Sequence, residues 1–169
     1  KKMNIVLCAL LVLLIILVVW TIWGNTALMV NTTTISSSRI PVSFSGLRIA
    51  QVSDLHNAKF GENNGRLLEL LSENEPDIIV ITGDLVDAQH TNITTALDFA
   101  TDAVQIAPTY YVTGNHEASL SQYSTLKAGL EAAGVVVLED EAIQLERKSE
   151  AIQSIFHTIY EQVPWPVLP

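Results

Sequence analysis

The chain has 169 residues and a formal net charge of -9, a length that suits one domain with an appendage. An acidic balance argues against sequence-independent nucleic-acid binding, which needs Lys and Arg to neutralise phosphates. A single cysteine excludes an internal disulfide; Cys8 sits in an apolar run and reads as a small hydrophobe.

Residues 5–23 are apolar apart from Thr21. That is enough to cross a hydrocarbon core of roughly 30 Å at about 1.5 Å per residue. Trp20 and Trp23 close the run where an interfacial aromatic belt would lie. The length of the core and the lack of a following Ala-x-Ala favour a retained anchor over a cleaved signal peptide. Lys1 and Lys2 precede the run and the next charge is Arg39. This sets the expectation of a cytoplasmic N-terminus (residues 1–4) in the cell membrane, with the remainder on the extracytoplasmic side. Residues 24–46, rich in Thr, Ser and Asn, read as a polar stalk. No Asp or Glu lies within the stalk or before it, so every acid is C-terminal to it.

From residue 47 the pattern is β-α-β-α-β-α-β-β. Residues 47–52 form the first expected strand. Leu67, Leu68, Leu70 and Leu71 place an amphipathic helix over 63–74, stopped by Pro76. Four consecutive apolar residues, 78–81, imply a strand buried on both faces. Thr91 or Asn92 can cap a helix running to about Ile106, with Pro108 beyond it. Residues 110–112 are a third strand. Residues 119–133 read as one helix closed by Gly134. Residues 135–138 are a fourth strand, and 142–146 a fifth after the acidic turn Glu139-Asp140-Glu141, itself read as solvated. Over 150–162, Ile152, Ile155, Phe156 and Ile159 recur at helical spacing before Pro164 and Pro166. The expected organisation is thus a domain over 47–148 and a divergent amphipathic tail over 149–169.

The strand ends carry chemistry. Asp54 and His56 follow the first strand, Asp84 follows Gly83 after the second, and Asn115 and His116 follow Gly114 after the third. Parallel strands joined by helices bring their carboxyl ends to one edge, where ligands bind. A set of Asp, His, Asp and Asn suits Mn, Fe or Zn. Two such ions about 3.5–4 Å apart can clamp the attacking and leaving oxygens of a phosphoryl displacement. Asp87 either supports Asp84 from behind or caps its own loop. His90 reads as a solvated loop residue at the substrate mouth. Ser53 lacks the Gly-x-Ser-x-Gly surroundings of a nucleophile.

Asp54-Leu55-His56, Gly83-Asp84-Leu85-Val86-Asp87 and Gly114-Asn115-His116-Glu117 resemble the first three motifs of the calcineurin-like metallophosphoesterases. The resemblance covers residues 47–147. With the anchor and stalk, it extends to the membrane-anchored bacterial branch, whose relatives include hydrolases of UDP-2,3-diacylglucosamine. It implies an α/β fold, the N-terminal half of a two-sheet αββα sandwich preceded by one transmembrane helix. It also implies two divalent metal ions and a phosphorylated small-molecule or lipid substrate. Asp54 and His56 would hold the first ion, Asp84 would bridge both, and Asn115 would hold the second. His116 would act near the leaving group, oriented by Glu117, during in-line attack of an activated water. The family's two later motifs, a lone His and a Gly-His-x-His, are absent from these residues. After Glu117 the one histidine is His157, read as a half-buried helix residue. A truncated or frame-shifted product, or a fragment, would account for that. The rival expectation is an inactive remnant with at most one weak metal site.

Overall fold

A computed structural model describes residues 2–147 and 150–155. The chain divides into two units, 1–34 and 35–169.

The first unit is dominated by helix α1, Lys2–Thr26. Its stretch Met3–Thr21 is long and apolar enough to cross a membrane. Thr21, at its end, returns its hydroxyl to the Leu17 carbonyl at 2.8 Å, so its polar group is satisfied within the helix.

The second unit begins before the first strand. Val42–Phe44 form a 3-10 turn, and Phe44 is buried. Strands β1 (Ile49–Val52), β2 (Ile78–Thr82), β3 (Thr109–Val112) and β4 (Val136–Leu138) form one parallel sheet in that order. In register, Ile49 pairs with Ile78, Ile79 with Thr109 and Tyr110 with Val136. Helices α2 (Gly65–Glu73), α3 (Ile93–Ile106) and α5 (Tyr123–Ala132) make the crossovers. Sequential strand order with neighbouring helices in contact places α2, α3 and α5 side by side on one face.

Periodicity accounts for the packing. Leu67 and Leu71 of α2, Ala96, Phe99, Ala100 and Ala103 of α3, and Leu126 and Leu130 of α5 are buried. They meet Ile79, Ile81 and Tyr111 of the central strands, all essentially inaccessible. Each large aliphatic side chain so buried contributes about 1.5–3 kcal/mol. As expected, 78–81 are buried throughout, and Asn92 caps α3 by accepting from Thr95 N at 3.1 Å.

Three expectations change. The helix expected over 119–133 begins later, as α5, and a further short helix, α4 (Asn115–Ala118), precedes it. The Ser119 hydroxyl turns back to the Asn115 and His116 carbonyls, which satisfies the end of α4 and separates the two. Residues 150–155 are not helical: they form strand β6 (Glu150–Ile155), antiparallel to β5 (Ala142–Arg147). Two isoleucines three apart do not separate helix from strand, and β5 offers an adjacent partner with Arg147 opposite Glu150. The fifth strand therefore pairs with β6 in a separate two-stranded sheet, not with β4. Phe156, His157, Ile159, Pro164 and Pro166 lie outside the described residues.

Candidate metal centre

The loops after β1, β2 and β3 meet at the carboxyl edge of the sheet. They continue its pairing past the strand ends: Asp54 N donates to Gly83 O at 3.2 Å, His56 N to Asp84 O at 2.8 Å and Asn57 N to Leu85 O at 3.1 Å. Asp54, His56 and Asp84 all adopt left-handed backbone, with φ of 55°, 45° and 51°. That conformation costs a residue with a Cβ roughly 1–2 kcal/mol. It persists where surrounding bonds over-determine it, and such positions cluster at functional sites.

Glycine permits the closest approach. Gly83 has φ +86°, and a Cβ there would stand 2.6 Å from Gly114 Cα. A Cβ on Gly114 would overlap the Asp84 carboxylate. The β2 and β3 loops therefore touch backbone to backbone.

Glu117 locks them together. It is wholly buried. Its Oε2 accepts from Asp84 N at 2.8 Å and Gly114 N at 3.0 Å, and its Oε1 accepts from Val86 N at 2.9 Å. The side chain to which the resemblance gives the task of orienting His116 binds three loop amides. The ring of His116 is oriented by Ala88, whose N–H donates to Nδ1 at 3.1 Å. An amide N–H can only donate, so Nδ1 is the acceptor and a neutral ring carries its proton on Nε2. A protonated nitrogen donates hydrogen bonds and does not ligate metal. His116 N also donates to Asp84 Oδ1 at 2.9 Å.

The metal-type side chains converge. One donor atom each from His56, Asp84 and His116 lie within 4.8 Å of one another. The His56 and His116 rings meet edge to face, with centroids 4.4 Å apart. His56 Nε2 is 3.8 Å from Asp54 Oδ1 and 3.9 Å from Asp84 Oδ2. These separations are too long for hydrogen bonds. They suit donors shared by one cation, since bonds of about 2.0–2.2 Å allow donors up to about 4.4 Å apart. His56 Nδ1 is buried without a hydrogen-bond partner among the described residues. The donors of His56 and Asp84, with Asp54 Oδ1 beside His56, are of the type that takes a divalent ion. Asp84 is 12% exposed, whereas Asp54 is 67% exposed and accepts the Ser53 hydroxyl at Oδ2. Asn115 opens α4 with an exposed side chain.

Of the two readings of Asp87, the loop cap is seen: Oδ1 accepts from Gln89 N at 2.7 Å and His90 N at 3.1 Å. Those two amides, Gln89 first, hold its carboxyl below the usual range. His90 is highly exposed, and its carbonyl accepts from Asn57 Nδ2 at 2.9 Å. Ala88 was not foreseeable as a site residue, because it acts through its backbone; nor was Ser53 foreseeable as a partner of Asp54.

Residues 47–159 match the family model described as calcineurin-like phosphoesterase. A bovine "transmembrane protein with metallophosphoesterase domain" is 32% identical over 121 residues, covering 69% of this chain and 27% of the relative. From Bacillus subtilis, the uncharacterized metallophosphoesterase YkoQ is 28% identical over 131 residues, 75% of this chain and 48% of the relative. A second, YkuE, is 41% identical over 63 residues, 35% of this chain and 22% of the relative. The chain thus spans less than half the length of each of these relatives.

Proposed function

The chain belongs to the calcineurin-like phosphoesterase family, and from that premise we propose that it is the membrane-anchored, metal-binding part of a hydrolase of phosphoester or pyrophosphate bonds. The observation that carries this reading is the approach of His56 and Asp84 at the sheet edge, with the His116 ring against His56. Asp54, His56 and Asp84 would hold one divalent ion (Mn, Fe or Zn), and Asp84 with Asn115 a second. When bound, such ions neutralise phosphoryl charge and make water nucleophilic at neutral pH.

The protein's own groups do the rest. Ala88 fixes His116 by its Nδ1 and leaves Nε2–H as a donor, suited to an oxygen of the phosphoryl group or leaving group. Glu117 holds the loops after β2 and β3 in one arrangement, so that part of the site is formed before substrate arrives. Asp87 fixes the loop that carries Ala88.

Helix α1 is the anchor in this reading, with the N-terminus cytoplasmic and the domain on the extracytoplasmic face of the cell membrane. Tethering favours a phosphodiester or a lipid-linked nucleotide, of which UDP-2,3-diacylglucosamine is an example. The test is hydrolysis of a chromogenic phosphodiester and of a lipid-linked nucleotide by the full chain in nanodiscs, with Mn or Zn supplied. Asp84→Asn should abolish metal uptake and turnover together. A chain that binds neither metal would refute the proposal.

A further inference from the structure

Behind the Gly114 turn, four side chains form a hydrogen-bonded series to which the metal chemistry assigns no role. Thr113 Oγ1 and Tyr123 OH are 2.7 Å apart. Tyr123 OH donates to Glu139 Oε1 at 2.7 Å, and Lys127 Nζ donates to Glu139 Oε2 at 2.7 Å. A phenol has one proton. With it committed to Glu139, the proton between Thr113 and Tyr123 comes from Thr113. The order is Thr113 to Tyr123 to Glu139, closed by Lys127.

The members come from three places in the fold. Thr113, buried, is the residue after β3; Tyr123 and Lys127 lie one turn apart on α5; Glu139 is the residue after β4. The charges support the proton order. Lys127 first, then Tyr123, hold Glu139 below its usual range, and burial raises Tyr123 to about 12. At neutral pH an ionised Glu139 therefore faces a neutral phenol and a charged lysine.

Thr113 immediately precedes Gly114-Asn115-His116. Glu117 holds the Gly114 amide, and Asp84 receives the His116 amide. The Thr113 hydroxyl is a further side-chain tie at the entry to this turn. We propose that Tyr123 is a positioning residue of the metal centre: through Thr113 it fixes the end of β3, so that Asn115 and His116 leave the turn against Asp84. The proposal rests on the metal-binding reading of the site.

The test is Mn titration of the full chain in nanodiscs by electron paramagnetic resonance, with thermal unfolding of the metal-free chain in parallel. Tyr123→Phe keeps the packed ring and removes the relay. It should weaken Mn affinity about ten- to hundredfold, the range seen when a group supporting a ligand is lost, and change the bound Mn line shape. Thr113→Val should match it, the double variant should be no worse than either single one, and Thr113→Ser should restore wild-type binding. Wild-type affinity and line shape in Tyr123→Phe, with or without a lower unfolding temperature, would overturn the positioning role and leave the metal reading standing. No Mn uptake by the wild-type chain, or uptake unchanged by Asp84→Asn, would remove the metal reading and this inference with it.

Discussion

Replacing Glu117 by Gln separates a structural carboxylate from a group acting on His116. The side chain is 0% exposed and accepts three backbone N–H groups, at 2.8, 2.9 and 3.0 Å. Glutamine can keep its carbonyl oxygen on the Asp84 and Gly114 amides, as neutral bonds in place of charge-assisted ones. Its NH2 then faces Val86 N–H, donor to donor. Leaving one buried amide unpaired costs about 1–3 kcal/mol, and bonds to a charged acceptor exceed neutral ones by roughly 1 kcal/mol each. The expected loss is about 3–5 kcal/mol, a large part of the roughly 5–15 kcal/mol typical of a domain. Urea unfolding of the full chain in detergent, followed by circular dichroism, measures it as a lower midpoint at unchanged slope. A loss under about 0.5 kcal/mol, the range of ordinary surface substitutions, accompanied by lost turnover, would refute the reasoning and return Glu117 to direct service of His116.

Gly83→Ala meets both left-handed backbone and a contact at 2.6 Å with Gly114 Cα; its melting temperature should fall by several degrees, more than for Ala at Gly65, where a Cβ meets open space. Alkaline unfolding tests the relay separately. Because the folded Tyr123 hydroxyl titrates near 12 instead of 10, the native state retains its proton longer than the unfolded chain. The associated stability is complete below pH 10 and is lost as pH rises through about 12. Tyr123→Phe should therefore show a shallower fall in stability over that window, measured by denaturant titration at each pH.

Much of this was legible in the residues. The run Ile78-Ile79-Val80-Ile81 could only be a strand covered on both faces, and Asn92 before an apolar-periodic stretch could be read as a cap. Asp54, His56, Asp84 and His116 were legible as a convergent set because parallel strands share one carboxyl edge. What was not legible depended on partners without a side-chain signature. Glu117 reads as a partner of His116 and nothing in the residues points to its three amides, and the Ala88 N–H that decides the His116 tautomer leaves no trace in an alanine. The tail was misread for a different reason. Ile152 and Ile155 satisfy a helical spacing, but pairing with β5 is a tertiary choice that local spacing does not encode. The short helix α4 likewise had no apolar periodicity to announce it.

The left-handed backbone at Asp54, His56 and Asp84 bears on how such a chain can change over generations. At each position glycine would relieve the steric cost, roughly 1–2 kcal/mol before the added freedom of the unfolded chain is counted. The replacements most favourable to folding at this edge are therefore ones that delete a metal donor. Stability and chemistry pull in opposite directions within a few residues of one another, a conflict frequent where function needs strain.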